Sequence, residues 1–167
     1  MPESIPLYIP SDQDPESISE SILNDIRSTD FLNEITSGEE SPQETGLWNL
    51  VQPVLSSSSS SSLTLSQFSN PSNLLHHALQ NLRQETDQDG RKRWNLNGLI
   101  LVDQTSLQGD GSLLVLEVDL QKGEIKDQLR CARRSVLEVI SNISISNMSL
   151  DEYRNMCGGA EVFDSGQ

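Results

Sequence analysis

Two histidines, two cysteines and one Gly-Asp-Gly step are the places in this 167-residue chain where catalytic or metal chemistry would have to begin. His76 and His77 are adjacent. Neighbouring helical positions point about 100° apart, so the pair does not close on one metal ion as residues four apart can. Cys131 and Cys157 stand 26 residues apart with no CxxC and read as two free thiols. Gly109-Asp110-Gly111 is too short for a phosphate-cradling loop and lies where a hairpin turn would put glycine anyway. No nucleophile stands beside a base, and the carboxylates are abundant but unplaced. The pattern therefore assigns no catalytic residue, no metal and no cofactor, and predicts a protein that is not an enzyme.

Charge is more informative. The net charge is −14, with 34% hydrophobic and 4% aromatic residues. Residues 1–45 hold eleven acids against one base, Arg27, while residues 91–147 hold eight bases against seven acids. An acidic segment is thus joined to a nearly neutral one that carries most of the cations. Acidic segments repel nucleic acid and anionic membranes and attract basic partners. Arg91, Lys92 and Arg93 precede Trp94, and Lys126, Arg130, Arg133 and Arg134 fall at helical spacing. Together they form a basic surface over 91–134, suited to phosphate or to an acidic protein segment. Asp127 and Glu138 would neutralise part of it.

Within the acidic segment, Ile18, Ile22 and Ile26 recur every four residues, Leu23 widens the stripe, and Phe31, Leu32 and Ile35 repeat it after a polar break. Asp14-Pro15 is a helix start, since Asp accepts from free N–H groups and Pro suits the first helical position. A polar helix of this length is marginal alone in water. The reading is a transient amphipathic helix at 14–36 that folds into a partner's groove, with those seven apolar residues as the contact. Ser37 and Ser149 precede acids in the manner acid-directed kinases favour, which suits a phosphoprotein.

The elements that must position these groups follow from punctuation and period. Residues 1–13 read as an extended arm, with three prolines in ten positions. Residues 1–45 then form a disordered acidic arm, and 46–71 a linker with an apolar patch and the seven serines Ser56 to Ser62. Residues 72–157 form the ordered domain and 158–167 a flexible tail. Leu74, Leu75, Ala78, Leu79 and Leu82 make one helical stripe. Leu96 to Val102 and Leu113 to Leu120 read as the strands of a hairpin, half-solvated at Glu117 and Asp119. Ile125, Leu129, Ala132, Val136, Ile140 and Ile143 step at three to four residues, which predicts a helix over 124–143. Ser149 to Glu152 is a capping box for a last short helix. The predicted class is α+β, a small αββα unit. Two strands under one covering helix are marginal, so a homodimer is expected.

No stretch has the length of a membrane span, and the start of the chain has no signal-peptide pattern, so no membrane contact and a cytoplasmic or nuclear site are expected. The function these features favour is a non-enzymatic adaptor or regulator that binds a protein partner through the acidic amphipathic segment. Nucleic-acid binding by the 91–134 surface is the alternative. The plan of acidic arm, serine-rich tether and compact domain is similar in layout to the phosphoproteins of negative-strand RNA viruses, and to small transcriptional co-regulators. The similarity implies an accessory, partner-binding role and transfers no residue role.

Overall fold

The computed structural model describes residues 3–36, 41–54 and 63–166. Within them the chain is α+β, a mixed six-stranded sheet with helices on both faces. The strands are β1 (Ile5–Tyr8), β2 (Val51–Pro53), β3 (Gly98–Leu101), β4 (Leu113–Asp119), β5 (Glu124–Cys131) and β6 (Val162–Phe163), in the spatial order β2-β1-β3-β4-β5-β6. The helices are α1 (Pro15–Arg27), α2 (Asp30–Ile35), α3 (Pro71–His77), α4 (Gln104–Gln108), α5 (Arg133–Ser144) and α6 (Leu150–Met156). One π-helical turn, Ala78–Leu82, prolongs α3.

The expected αββα unit gives way to this larger sheet, for three reasons that can be traced to residues. First, the arm is not an arm. Ile5, Leu7 and Ile9 point into one core and Tyr8 into the other, so the segment is a strand buried on both faces, paired parallel to β2 and to β3. Prolines argue against interior strands because they cannot donate to a ladder. Pro6, however, falls between the Ser4–Trp94 bridge and the start of the β1–β3 ladder at Leu7, where a missing N–H costs nothing.

Second, the helix over 124–143 is a strand followed by a helix. Ile125 and Leu129 are four apart, which matches one helical turn, but they belong to a bulged strand that sends Ile125 to the α3 side of the sheet and Leu129 to the α5 side. Residues 124–131 pair with β4 as β5, the chain turns at Ala132, and Val136, Leu137, Val139, Ile140 and Ile143 form the buried apolar face of α5. Third, the tail carries β6: the Ala132 N–H donates to the Phe163 carbonyl at 2.8 Å and Phe163 is buried. The linker likewise contains β2. Ser56 to Ser62, where the domain boundary was expected, and Ser37 lie outside the described residues. Strands from before and after the serine run share one sheet.

Side chains alternate across the sheet, and each face has its own cover. Leu113 and Val115 join Ile100, Val102 and Leu129 under α1, α2, α5 and α6. Leu114, Leu116 and Val118 join Tyr8, Leu99 and Leu101 under α3 and Phe68. Gly98 permits a close approach of α5 to the sheet: a Cβ there would lie 2.7 Å from Ile140 Cδ1. The β4–β5 turn closes through Gly123 at φ +67°, a left-handed position that suits glycine.

Candidate functional site

α1 begins at the Asp14-Pro15 start, with the Asp14 carboxylate accepting from the Ser17 N–H at 3.3 Å. Its apolar stripe does not face a partner. Ile22, Ile26 and Leu32 are buried in the chain's own core, Ile18, Leu23 and Phe31 pack against that core, and Ile35 alone of the seven is exposed. α1 lies along α5, so the stripe is one half of an internal helix pair. The opposite surface of α1 and α2 presents Glu16, Glu20, Asp30 and Glu34 to water, and none is in an ion pair among the described residues. Glu138 on α5 extends this acidic surface: burial, with the neighbouring Glu34 charge, pushes its carboxyl above the usual range.

The expected basic surface is dispersed and largely neutralised. Lys126 and Arg130 stand on β5, while Arg133 and Arg134 open α5, so the four do not share a helix face. Lys126 Nζ donates to Glu117 at 2.5 Å, Arg133 to Asp25 at 2.7 Å and Arg134 to Asp164 at 2.6 Å; Arg130 is paired with Asp103. Cations at a helix N-terminus oppose its dipole, which gives Arg133 and Arg134 a further reason to carry acids. Arg93 sits 4.9 Å from the Trp94 ring centre and 3.7 Å from Glu85. Arg91 and Lys92 are exposed and without an ion pair among the described residues.

The histidines do not form a site either. His76 is exposed, and His77 shares a 3.0 Å hydrogen bond through Nδ1 with the buried Tyr8 hydroxyl. Burial lowers the His77 pKa. Among the described residues no group of three His, Cys, Asp or Glu side chains could hold a metal ion, and no helix is long and apolar enough to cross a membrane.

The structure instead brings together residues that the sequence had left as a solvated hairpin edge. Glu117 continues the Leu113, Val115 side of β4 and is only 9% exposed, opposite Gly98, whose missing side chain leaves room on the shared face. The ladder slips between Glu117 and Val118, leaving Lys126 unopposed as the extra residue of a β-bulge. Bulges re-aim side chains and gather near functional sites. Here the bulge turns the Lys126 ammonium onto Glu117 Oε1, and the resulting hydrogen bond raises the lysine pKa. Glu117 Oε2 accepts the Leu150 N–H at 2.9 Å, at the start of α6. α6 is fixed there by its capping box, in which the Ser149 N–H donates to Glu152 at 2.8 Å. Around this pair opens a cleft of about 610 Å³, with Asn97, Asp119, Met148 and Glu152 among its walls. Ser146, also in the wall, is held at a positive φ, +56°, unusual for a residue other than glycine. The sequence signal for this site was a lone acid inside the apolar run from Leu113 to Val118.

No curated protein and no solved structure matches the chain. A model of the family described as a domain of unknown function (DUF6924) matches residues 44–165, a span that runs from before β2 through β6 and contains the whole cleft. The chain belongs to this family.

Proposed function

We propose that the protein is a non-catalytic regulator that binds a basic protein partner through the acidic surface of α1 and α2. The observation that carries the reading is the fixed outward display of Glu16, Glu20, Asp30 and Glu34 on helices whose other side is anchored in the core. The original expectation of a groove-binding apolar stripe is replaced by recognition through charge, with Ile35 the one stripe residue still exposed. A negative, preformed surface on a chain of net charge −14 speeds encounter with basic partners and rejects acidic ones. The nucleic-acid reading is not carried further, because each of Lys126, Arg130, Arg133 and Arg134 already has a carboxylate.

The test uses the full chain and a soluble lysine-rich peptide. Combining Glu16→Gln, Glu20→Gln, Asp30→Asn and Glu34→Gln should weaken peptide affinity about tenfold or more, at ~0.5 kcal/mol for each exposed charge, and flatten its salt dependence. Melting should stay near wild type, since none of the four is in an ion pair among the described residues. Unchanged affinity would refute the acidic surface as the binding face.

A further inference from the structure

We propose that the cleft beside Glu117 receives an arginine side chain of the partner, and that Lys126 is the internal cation which this arginine displaces. The inference rests on the basic-partner reading and adds a specific contact to it. An enclosed carboxylate stays charged only against compensating groups, and Glu117 has two of unequal character. The Leu150 N–H on Oε2 is fixed, because a capping box anchors the first turn of α6. The Lys126 ammonium on Oε1 arrives on a flexible four-carbon stem whose side chain is 56% exposed. One partner of Glu117 is therefore permanent. The other is a mobile cation that solvent reaches through the cleft. That seat already holds an ammonium group at 2.5 Å, so a cation demonstrably fits it.

Arginine suits the seat better than lysine. Its planar fork can take Glu117 Oε1 with one N–H while others reach a second acceptor, and Asn97, Asp119 and Glu152 line the same cleft. Its weakly hydrated faces tolerate apolar walls, which Ile143 and Met148 provide. Lys126 is the one base among the lining residues, so its departure leaves Glu117 short of a cation, with Glu152 (held by its cap) and Asp119 (facing Lys122 at 3.7 Å) as further acceptors nearby. While Lys126 is seated, Glu117 Oε1 is closed to competitors, and the apparent affinity is reduced by the fraction of time the seat is free.

The experiment follows the Leu150 and Val118 amide resonances of the full chain during titration with the blocked tripeptide Ala-Arg-Ala, with its citrulline counterpart as the uncharged control. In the wild type only the arginine peptide should shift the Leu150 amide. Lys126→Met should tighten arginine binding about tenfold by removing the internal competitor, and Glu117→Gln should abolish it. Lys126→Met keeps the test decisive if Glu117→Gln proves too unstable to fold. Unchanged or weaker binding by Lys126→Met, or equal shifts with citrulline, overturns the proposal. The four-residue substitution of the acidic helical surface should leave tripeptide affinity within about twofold, since an exposed charge at a distance is screened. If the tripeptide fails to bind while the lysine-rich peptide still depends on that surface, the cleft inference falls and the proposed function stands.

Discussion

At the scale of single residues, the structure is governed by which charges find partners. Asp103 caps α4 through the Ser106 N–H at 3.0 Å and also holds Arg130, both groups largely enclosed. Burial would raise the Asp103 pKa, but the hydrogen bonds from Arg130 and Ser106 outweigh it and the pKa is lowered. A carboxylate lowered in the folded state stabilises above its ordinary pKa, near 3.8, and that stability is lost as pH falls through the lowered value. Asp103→Ala should therefore cost about 3–5 kcal/mol at neutral pH, through an orphaned Arg130 and a lost cap. The cost should shrink in acid, which melting at pH 7 and pH 3 would show. Thr29 is the opposite case: its Oγ1 is buried with no hydrogen-bond partner among the described residues. Thr29→Val, close in shape, should leave melting unchanged or raise stability by about 1 kcal/mol. The pairing of Asp103 with Arg130, 27 residues on, was not legible in the sequence. Its residues are far apart in the chain, as are Asp25 and Arg133, and only the fold sets which acid meets which base.

At the scale of elements, local patterns were readable and their destinations were not. The apolar stripe of 14–36 is a true helical stripe, but the pattern is silent on whether another chain or the same chain covers it. Here α5 covers it. Ile22→Ala should thus destabilise the whole molecule by about 2–4 kcal/mol, as truncations in a packed core do, and thermal melting would record it. A partner-facing stripe would instead leave melting untouched. The four-residue step from Ile125 to Leu129 imitated a helical turn, and the bulge at Lys126, which puts the two on opposite faces of the sheet, left no clean strand alternation to read. β1 was obscured by its prolines. Amide exchange should show Leu7 and Tyr8 protected as strongly as Ile100 and Leu101, because β1 is an interior strand with ladder bonds on both sides. Exchange at the rate of free peptide over these residues would contradict the six-stranded sheet.

At the scale of the whole molecule, the charge asymmetry seen along the chain becomes an asymmetry of surface. The cations are drawn into pairs along β5, α5 and α6, while Glu16, Glu20, Asp30 and Glu34 of α1 and α2 remain outside. The charge segregation was plain in the sequence; the conversion of a tail into a rigid, folded display was not. The central claim is that this display is where a basic partner lands. The most direct measurement is amide chemical-shift mapping of the full chain against the lysine-rich peptide at low salt. The account predicts that the largest shifts fall on α1 and α2 around Glu16, Glu20, Asp30 and Glu34, fading as salt is raised. Shifts confined to the stretch around Arg91 and Lys92, or absent from α1 and α2, would contradict it.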